Sequence, residues 1–477
     1  MTTLGWVRSP DGRGTLDIIW QCTVTIVLCC WSSLCVNVPT RGEGSILQLC
    51  DKFNLACLGI LGPEFLFALA LGQYESARRS VKEFESGGYK TWTMRHAFCA
   101  DMGGFILQVP VQHVSADFPA AHAPPLIRFP IDAKQLYYLV KRKYIQFPAI
   151  AEEDVAESDR LARFITIFQV VWFSVNSIAR AIQRLQITTL ELTTLAFIPC
   201  MITTSFCWYY KPSSIGRATV LECETPLADI LKAAGHQARE PYRNTPLDFV
   251  SREEWSISLL WAHDLNILRK LHIMFFARKM KARPITRIPN DNWPRVGFRG
   301  GVIMGAMAFF YSAIFVMGWR FPFPTRVECI LWRVSSLGTL AFSVLIGIGE
   351  VTGFRMYLPH KRRSRKVITS ENPVNGMDLE SFPAASSPGK PTPHKSWYGS
   401  SYVAVQARRM AAKYRNNSPD NDPALELPLR ILIPMTALCA FYSLFRVYFL
   451  LEDLLSLRAL PPSAFKTVSW PNWFPHI

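Results

Sequence analysis

Histidine is scarce in this chain, nine in 477 residues, and none lies inside a long apolar run. That argues against desaturase-type histidine boxes, haem-ligating histidine pairs and a membrane-acyltransferase histidine, which need imidazoles at fixed positions. The apolar runs also lack the paired aspartates that hold Mg²⁺ against a prenyl diphosphate. No Walker loop and no Gly-x-Ser-x-Gly elbow occurs, which sets aside an ATP-driven pump and a serine hydrolase. The twelve cysteines show no CxxC spacing, and many, such as Cys22, Cys200 and Cys439, sit in apolar runs, where a thiol behaves as a small hydrophobe. Neither a disulfide framework nor a zinc site is implied, and no cofactor is expected. Charge is sparse too, at 18% of residues.

Apolar residues are abundant instead, at 49%, with 13% aromatics, and they are concentrated in blocks. Seven runs stand out, at 16–38, 54–71, 164–182, 188–209, 302–319, 330–349 and 429–451. Each is near the roughly 20 residues that cross a hydrocarbon core of about 30 Å. The pattern predicts an all-α, polytopic membrane bundle of about seven transmembrane helices, with further interfacial and cytosolic helices. The first run is too long for a cleavable signal and reads as an uncleaved anchor. The third and fourth, joined only by residues 183–187, predict an antiparallel hairpin. The formal charge of +16 would suggest nucleic acid in a soluble chain, but here Lys and Arg gather in the stretches after runs two, four and six. That one-sidedness is an orientation signal, so no nucleic-acid partner is expected. It predicts a cytosolic amino terminus and long loops, with the carboxyl terminus luminal or extracellular.

The chain therefore divides into residues 1–73 (helices one and two), 74–160 (an interfacial, amphipathic region), 161–210 (the hairpin), 211–301 (a cytosolic helical loop), 302–350 (helices five and six), 351–426 (a linker) and 427–477 (helix seven and tail). Aromatic residues 92–105 suggest helices in the headgroup layer. Leu259, Leu260, Leu265, Leu268 and Leu271 give residues 250–283 an apolar helical face with a basic end. Residues 361–424, rich in Ser, Pro, Asn and Gly after a basic run, predict disorder. The acidic run Glu152-Glu153-Asp154 reads as the first turn of a helix. The sequon Asn416-Asn417-Ser418 falls on the cytosolic side in this reading.

Several motifs carry a resemblance. They are Gly5-Trp6-Val7, Pro10 to Thr15, Leu34 to Pro39, Pro63-Glu64, Trp92 to Phe105 (WTMRHAFCADMGGF), Ala133 to Leu136, Ile187 to Phe197 (ITTLELTTLAF), Thr467-Val468 and Pro475-His476-Ile477. Together they resemble a family of large fungal multi-pass membrane proteins, some encoded beside secondary-metabolite genes. The resemblance implies an endoplasmic-reticulum or other secretory-pathway membrane and a role in secondary metabolism, but names no reaction.

Ionisable groups at membrane depth are costly, on the order of 2.5–3.5 kcal/mol at a helix centre, so each needs a partner or a purpose. Glu64, directly after Pro63 in the second run, is placed near mid-bilayer, where proline loosens the helix. In the third run Gln169, Trp172, Asn176, Arg180 and Gln183 recur at helical spacing on one face. Glu191, across the hairpin, is positioned to pair with Arg180. Arg333, Arg446 and Glu328 fall at similar depth, in the same layer or snorkelling. His96 and Asp101, five apart, offer an acid/base pair at the membrane surface, with structural use the simpler reading. The expected function is a metal-free membrane enzyme of fungal secondary metabolism that cyclises or isomerises an apolar intermediate. Glu64 would be the acid, and Asn176, Arg180 and Glu191 would line its site. The alternative is a metabolite transporter, or a scaffold for pathway enzymes. The bilayer is the expected partner in every case.

Overall fold

A computed structural model describes residues 3–9, 12–40, 42–111, 125–148, 160–213, 215, 218–239, 242–252, 256–271, 283–349, 402–417 and 426–470. The acidic run at 152–154, the basic runs at 278–281 and 361–366, most of the linker and residues 475–477 lie outside them.

The chain is mostly helical. Helix α1 (Thr15–Ser33) is closed at its start by Asp17, which accepts the Gly14 N–H at 2.8 Å. Helices α2 (Ser45–Leu61) and α3 (Pro63–Ser86) follow with only Gly62 between them, and their axes differ by 117°. Pro63 has no N–H to continue α2 and has the φ suited to a first helical position, so α2 stops and α3 starts at one point. Next come α4 (Met94–Asp101), β1 (Phe105–Pro110), β2 (Leu126–Ile131), α5 (Ala133–Lys141), α6 (Arg160–Ile182) and α7 (Thr189–Cys207). Beyond them are β3 (Thr219–Glu222), α8 (Leu227–Ala234), α9 (Asp248–Ser251), α10 (Ser256–Lys270), α11 (Phe298–Met317), α12 (Arg326–Gly349), α13 (Tyr402–Arg415) and α14 (Leu429–Leu455).

By length and composition α1, α6, α7, α11, α12 and α14 are each able to cross a membrane. Their outward faces carry large apolar side chains, including Phe168 and Ile178 on α6, Phe310 on α11, Leu337 on α12 and Leu444 on α14. α7 is the central helix, its sides packed against α1, α3, α11 and α14.

The six helices share two ends. At one, Leu4 and Leu460 exchange backbone hydrogen bonds of 2.8 and 2.9 Å, and Arg13 and Arg180 reach carbonyls of the carboxyl-terminal segment. At the other, Ser33 meets Ser205 and Thr166 meets Ser32. The bent pair begins and finishes at this second end: Asp51 of α2 pairs with Arg287 at 2.5 Å, and Glu75 of α3 accepts the Gly297 N–H at 2.7 Å. Its apex, at Gly62, reaches deepest into the bundle, where Leu61 meets Arg446, and α3 runs back from there beside α7. The run 54–71 is not one continuous helix, because Gly62-Pro63 ends the hydrogen-bond ladder in the middle of it; six long apolar helices result among the described residues, or seven spans if the bent pair counts as one. The described amino- and carboxyl-terminal segments meet at one end of the bundle.

The described parts of the three long hydrophilic stretches gather at the second end, where a small sheet forms, ordered β2-β1-β3. β1 runs antiparallel to β2 (Phe105 opposite Ile131) and parallel to β3 (Phe105 opposite Thr219). Phe105, Leu107 and Val109 alternate inward, against a core holding Phe84, Leu136 and Leu139. The aromatic stretch 92–105 was expected in the headgroup layer. Trp92 stacks on Phe84 with ring centroids 4.3 Å apart, and Phe98 is 1% exposed, so these rings are core and not lipid anchors. Within the stretch expected to be a disordered linker, α13 forms a helix and holds its place through the Tyr414 carbonyl, 2.9 Å from His263 Nε2.

Candidate functional site

Three groups of buried polar side chains stand out among the described residues. The first surrounds the apex of the α2–α3 hairpin. Glu64 occupies the first turn of α3 and is 7% exposed, and the Tyr442 hydroxyl of α14 donates to its Oε1. One turn further along α14, Arg446 donates through Nε to the Leu61 carbonyl at 2.8 Å and through Nη2 to the Ile60 carbonyl at 3.4 Å. The last carbonyls of α2 have no partner within their own helix, and a cation is also favoured at that negative end of the helix dipole. Arg446 does both jobs. Its guanidinium lies over the rings of Tyr311, Phe315 and Phe197 at 5.1, 5.4 and 5.9 Å, an aromatic cradle that favours a desolvated cation. Glu64 and Arg446 form no direct ion pair. Glu64 Oε2, Arg446 Nη1 and the Tyr311 hydroxyl oxygen are buried without a hydrogen-bond partner among the described residues.

The second group lies at the end where the termini meet. Glu191, in the first turn of α7, accepts from Thr188 N–H and hydroxyl at 2.9 and 3.0 Å, pairs with Arg13 at 2.5 Å and lies 3.6 Å from Arg180. Arg180 also donates to the carbonyls of Gln186, Ala464 and Lys466 at 2.8 to 2.9 Å. Arg13 and Arg180 thus share one carboxylate and hold the carboxyl-terminal segment against the α6–α7 turn. Buried charges gathered this way are usually architectural, because removing one partner strands the other.

The third group belongs to the subdomain around the sheet. His96 closes the start of α4: its Nδ1 accepts the Thr93 N–H at 3.2 Å, and its ring stacks on Trp92. Asp101, at the far end of the same helix, accepts the Ala133 N–H at 3.1 Å and so caps α5 beside Asp132. Burial pushes the Asp101 carboxyl from its usual 3.8 up to about 7, with Asp132 adding to the effect. Lys211, just past α7, donates to Gln73 at 2.9 Å over the Trp208 ring, and burial pulls its ammonium from 10.5 down to about 8.

The sequence-derived site is only partly assembled by this fold. Glu64 is buried deep in the bundle, but as the first turn of a new helix and not the middle of one. Arg180 and Glu191 do come together, as their spacing suggested. They do not meet Glu64, however: Cys200, which senses the Glu64 charge, is nine residues along α7 from Glu191, about 13 Å at 1.5 Å per residue. Asn176 is half-buried on α6 and is not among the groups at the hairpin apex. His96 and Asp101 occupy opposite ends of α4 and serve as caps, so they form no acid/base pair. Arg333 donates to the Trp319 carbonyl at 3.2 to 3.3 Å, and Glu328 pairs with Arg458. Arg446, 1% exposed, does not snorkel.

What sequence reasoning missed was the buried face of α14. Tyr442, Arg446, Phe449 and Asp453 are spaced by four, three and four residues and are all buried, a polar stripe on an otherwise apolar helix. That spacing was legible. Its partner across the bundle, Tyr311, had no comparable signal. Among the described residues no group of three or more His, Cys, Asp or Glu is arranged to hold a metal ion.

Residues 1–233 match the model of a family of unknown function (DUF8562). The matched part includes Glu64, His96, Asp101, Asn176, Arg180 and Glu191, and stops short of Tyr311, Tyr442 and Arg446. No curated protein and no solved structure matches the chain.

Proposed function

We propose that this is a multi-pass membrane enzyme that isomerises or cyclises an apolar intermediate by proton transfer from Glu64. Six crossings and one re-entrant hairpin would put the basic loops and the sheet subdomain in the cytosol and both termini on the other side. The belt of exposed apolar side chains on α6, α11, α12 and α14 supports immersion in lipid. A fungal source, a secretory-pathway membrane and a place in secondary metabolism, beside other pathway enzymes, belong to the proposal through the resemblance given above.

The observation that carries the reading is Glu64 itself, a carboxyl deep among apolar helices with one oxygen held by Tyr442 and the other open. In its protonated form Glu64 would deliver that proton to an alkene, epoxide or carbonyl of the substrate. The resulting cation would rearrange or close a ring and return a proton from a neighbouring carbon to the carboxylate. Nothing is oxidised or reduced, and product and substrate are isomers. Arg446 and the aromatic rings of Tyr311, Phe315 and Phe197 would surround the developing charge. The second reading, a carrier of apolar metabolites, is favoured by the helix break inside the bundle, a device of transport proteins.

Metabolite profiles of cells carrying the intact gene, a deletion, and Glu64→Gln test both. An enzyme predicts that Glu64→Gln reproduces the deletion, with product down at least about 100-fold and an isomer of equal mass accumulating. Product retained inside the deletion cells supports the carrier. Full product from Glu64→Gln at normal protein levels removes the acid assignment.

A further inference from the structure

Three side chains at the hairpin apex, Glu64, Tyr311 and Arg446, are each held in place and leave one polar atom without a partner among the described residues. Arg446 is fixed by the Leu61 and Ile60 carbonyls and by three rings, which sets the direction of Nη1. Glu64 is fixed through Oε1 by Tyr442, which leaves Oε2. Tyr311 is fixed by ring packing against Phe197 and Phe315, which leaves its hydroxyl. The three side chains are 7%, 1% and 1% exposed for Glu64, Tyr311 and Arg446, and each of these atoms lacks a partner among the described residues. Buried polar atoms are rarely left so, because each has lost its hydration without replacement. Three in mutual electrostatic reach are a pattern: Tyr311 senses both Arg446 and Glu64. Glu64 and Arg446 form no ion pair, so each keeps one polar atom unsatisfied.

Two of the open atoms, Arg446 Nη1 and the Tyr311 hydroxyl, are donors, and a carbonyl oxygen has two lone pairs to receive them. We propose that Glu64, Tyr311 and Arg446 form a binding site for the carbonyl oxygen of an otherwise apolar ligand that enters from the lipid. The aromatic rings of Phe197 and Phe315 would take the hydrocarbon next to that oxygen. This deepens the enzymatic reading and rests on it for its purpose: the same two donors would polarise the carbonyl while Glu64 exchanges protons beside it. The recognition itself needs no reaction and can be measured alone.

The probe is undecyl methyl ketone labelled with ¹³C at the carbonyl, titrated into the full chain in lipid nanodiscs and read by infrared difference spectroscopy. Bound ketone is expected to show a second carbonyl band, at lower wavenumber than ketone dissolved in the lipid. Tyr311→Phe should weaken binding about tenfold, the value of one good hydrogen bond. Its thermal unfolding should not worsen, since the hydroxyl it removes has no partner to lose. Only the lipid-phase band, or unchanged affinity in Tyr311→Phe, overturns the site. Glu64→Gln separates this claim from the acid role. A low band in the unaltered chain with lost product in Glu64→Gln supports both, and no low band in the unaltered chain with lost product in Glu64→Gln removes the carbonyl site alone.

Discussion

Asp101 shows how a residue chosen for chemistry turns out to serve architecture and still leaves a measurable trace. Buried against the start of α5, its carboxyl ionises near 7 in the fold and near 3.8 when unfolded. Between those values the folded chain holds a proton that the unfolded chain has released, so stability falls as pH rises from about 4 to 7. Asp132, raised in the same direction by burial, adds a slope of the same sign, while Lys211, lowered to about 8, acts with opposite sign above that pH. Asp101→Asn keeps a neutral group in place and should flatten the decline between pH 4 and 7 in thermal unfolding of the reconstituted protein. An unchanged pH profile would show that Asp101 is hydrated. At the same scale, three arginines that looked alike in the sequence divide by their acceptors. Arg180 binds Glu191 and backbone carbonyls, Arg333 binds the Trp319 carbonyl, and Arg446 closes the broken end of α2. Residue type and the Arg180–Glu191 pairing were readable beforehand; the carbonyl acceptors from the carboxyl-terminal segment and from α2 were not, because they come from segments distant in sequence.

Among the elements, the α2–α3 pair matters most, and hydropathy misled there for a simple reason. A sliding window adds apolar residues on both sides of Gly62 without registering that the axis turns by 117°. Pro63 marked the position, but proline inside an apolar run also occurs in continuous kinked helices, as Pro199 does in α7 and Pro434 in α14. The returning arm is held by close backbone approach. A Cβ at Gly72 of α3 would stand 2.8 Å from the Pro294 carbonyl oxygen, an atom that cannot rotate away. Gly72→Ala should therefore lower stability by about 1–3 kcal/mol through enforced separation of α3 from residues 294–296. Thermal unfolding in nanodiscs checks it, and a neutral result would mean that this arm packs more loosely than described. The sheet was hidden in a different way. Phe105, Leu107 and Val109 alternate as a strand should, but the aromatic richness just before them favoured an interfacial helix.

For the whole molecule the decisive fact is where the chain ends meet. Leu4 bridges Leu460, and Arg13 shares Glu191 with Arg180 beside the carboxyl-terminal carbonyls, the arrangement that the six crossings of the proposed function would give. Glycosylation acceptors placed in the amino-terminal and carboxyl-terminal segments should both be modified, and one placed within residues 361–401 should not. Modification at one terminus only would restore an odd number of crossings. The sequence by itself determined which stretches are apolar enough for lipid, since that follows from local composition. Tertiary structure alone decided that the second run folds back, that the termini join, and that Glu64 faces Tyr442, Tyr311 and Arg446 rather than Arg180 and Glu191. The physical reason is that a buried polar group takes its partner from whatever helix lies alongside. Helix neighbours are set by packing across the bundle, which no window along the chain records.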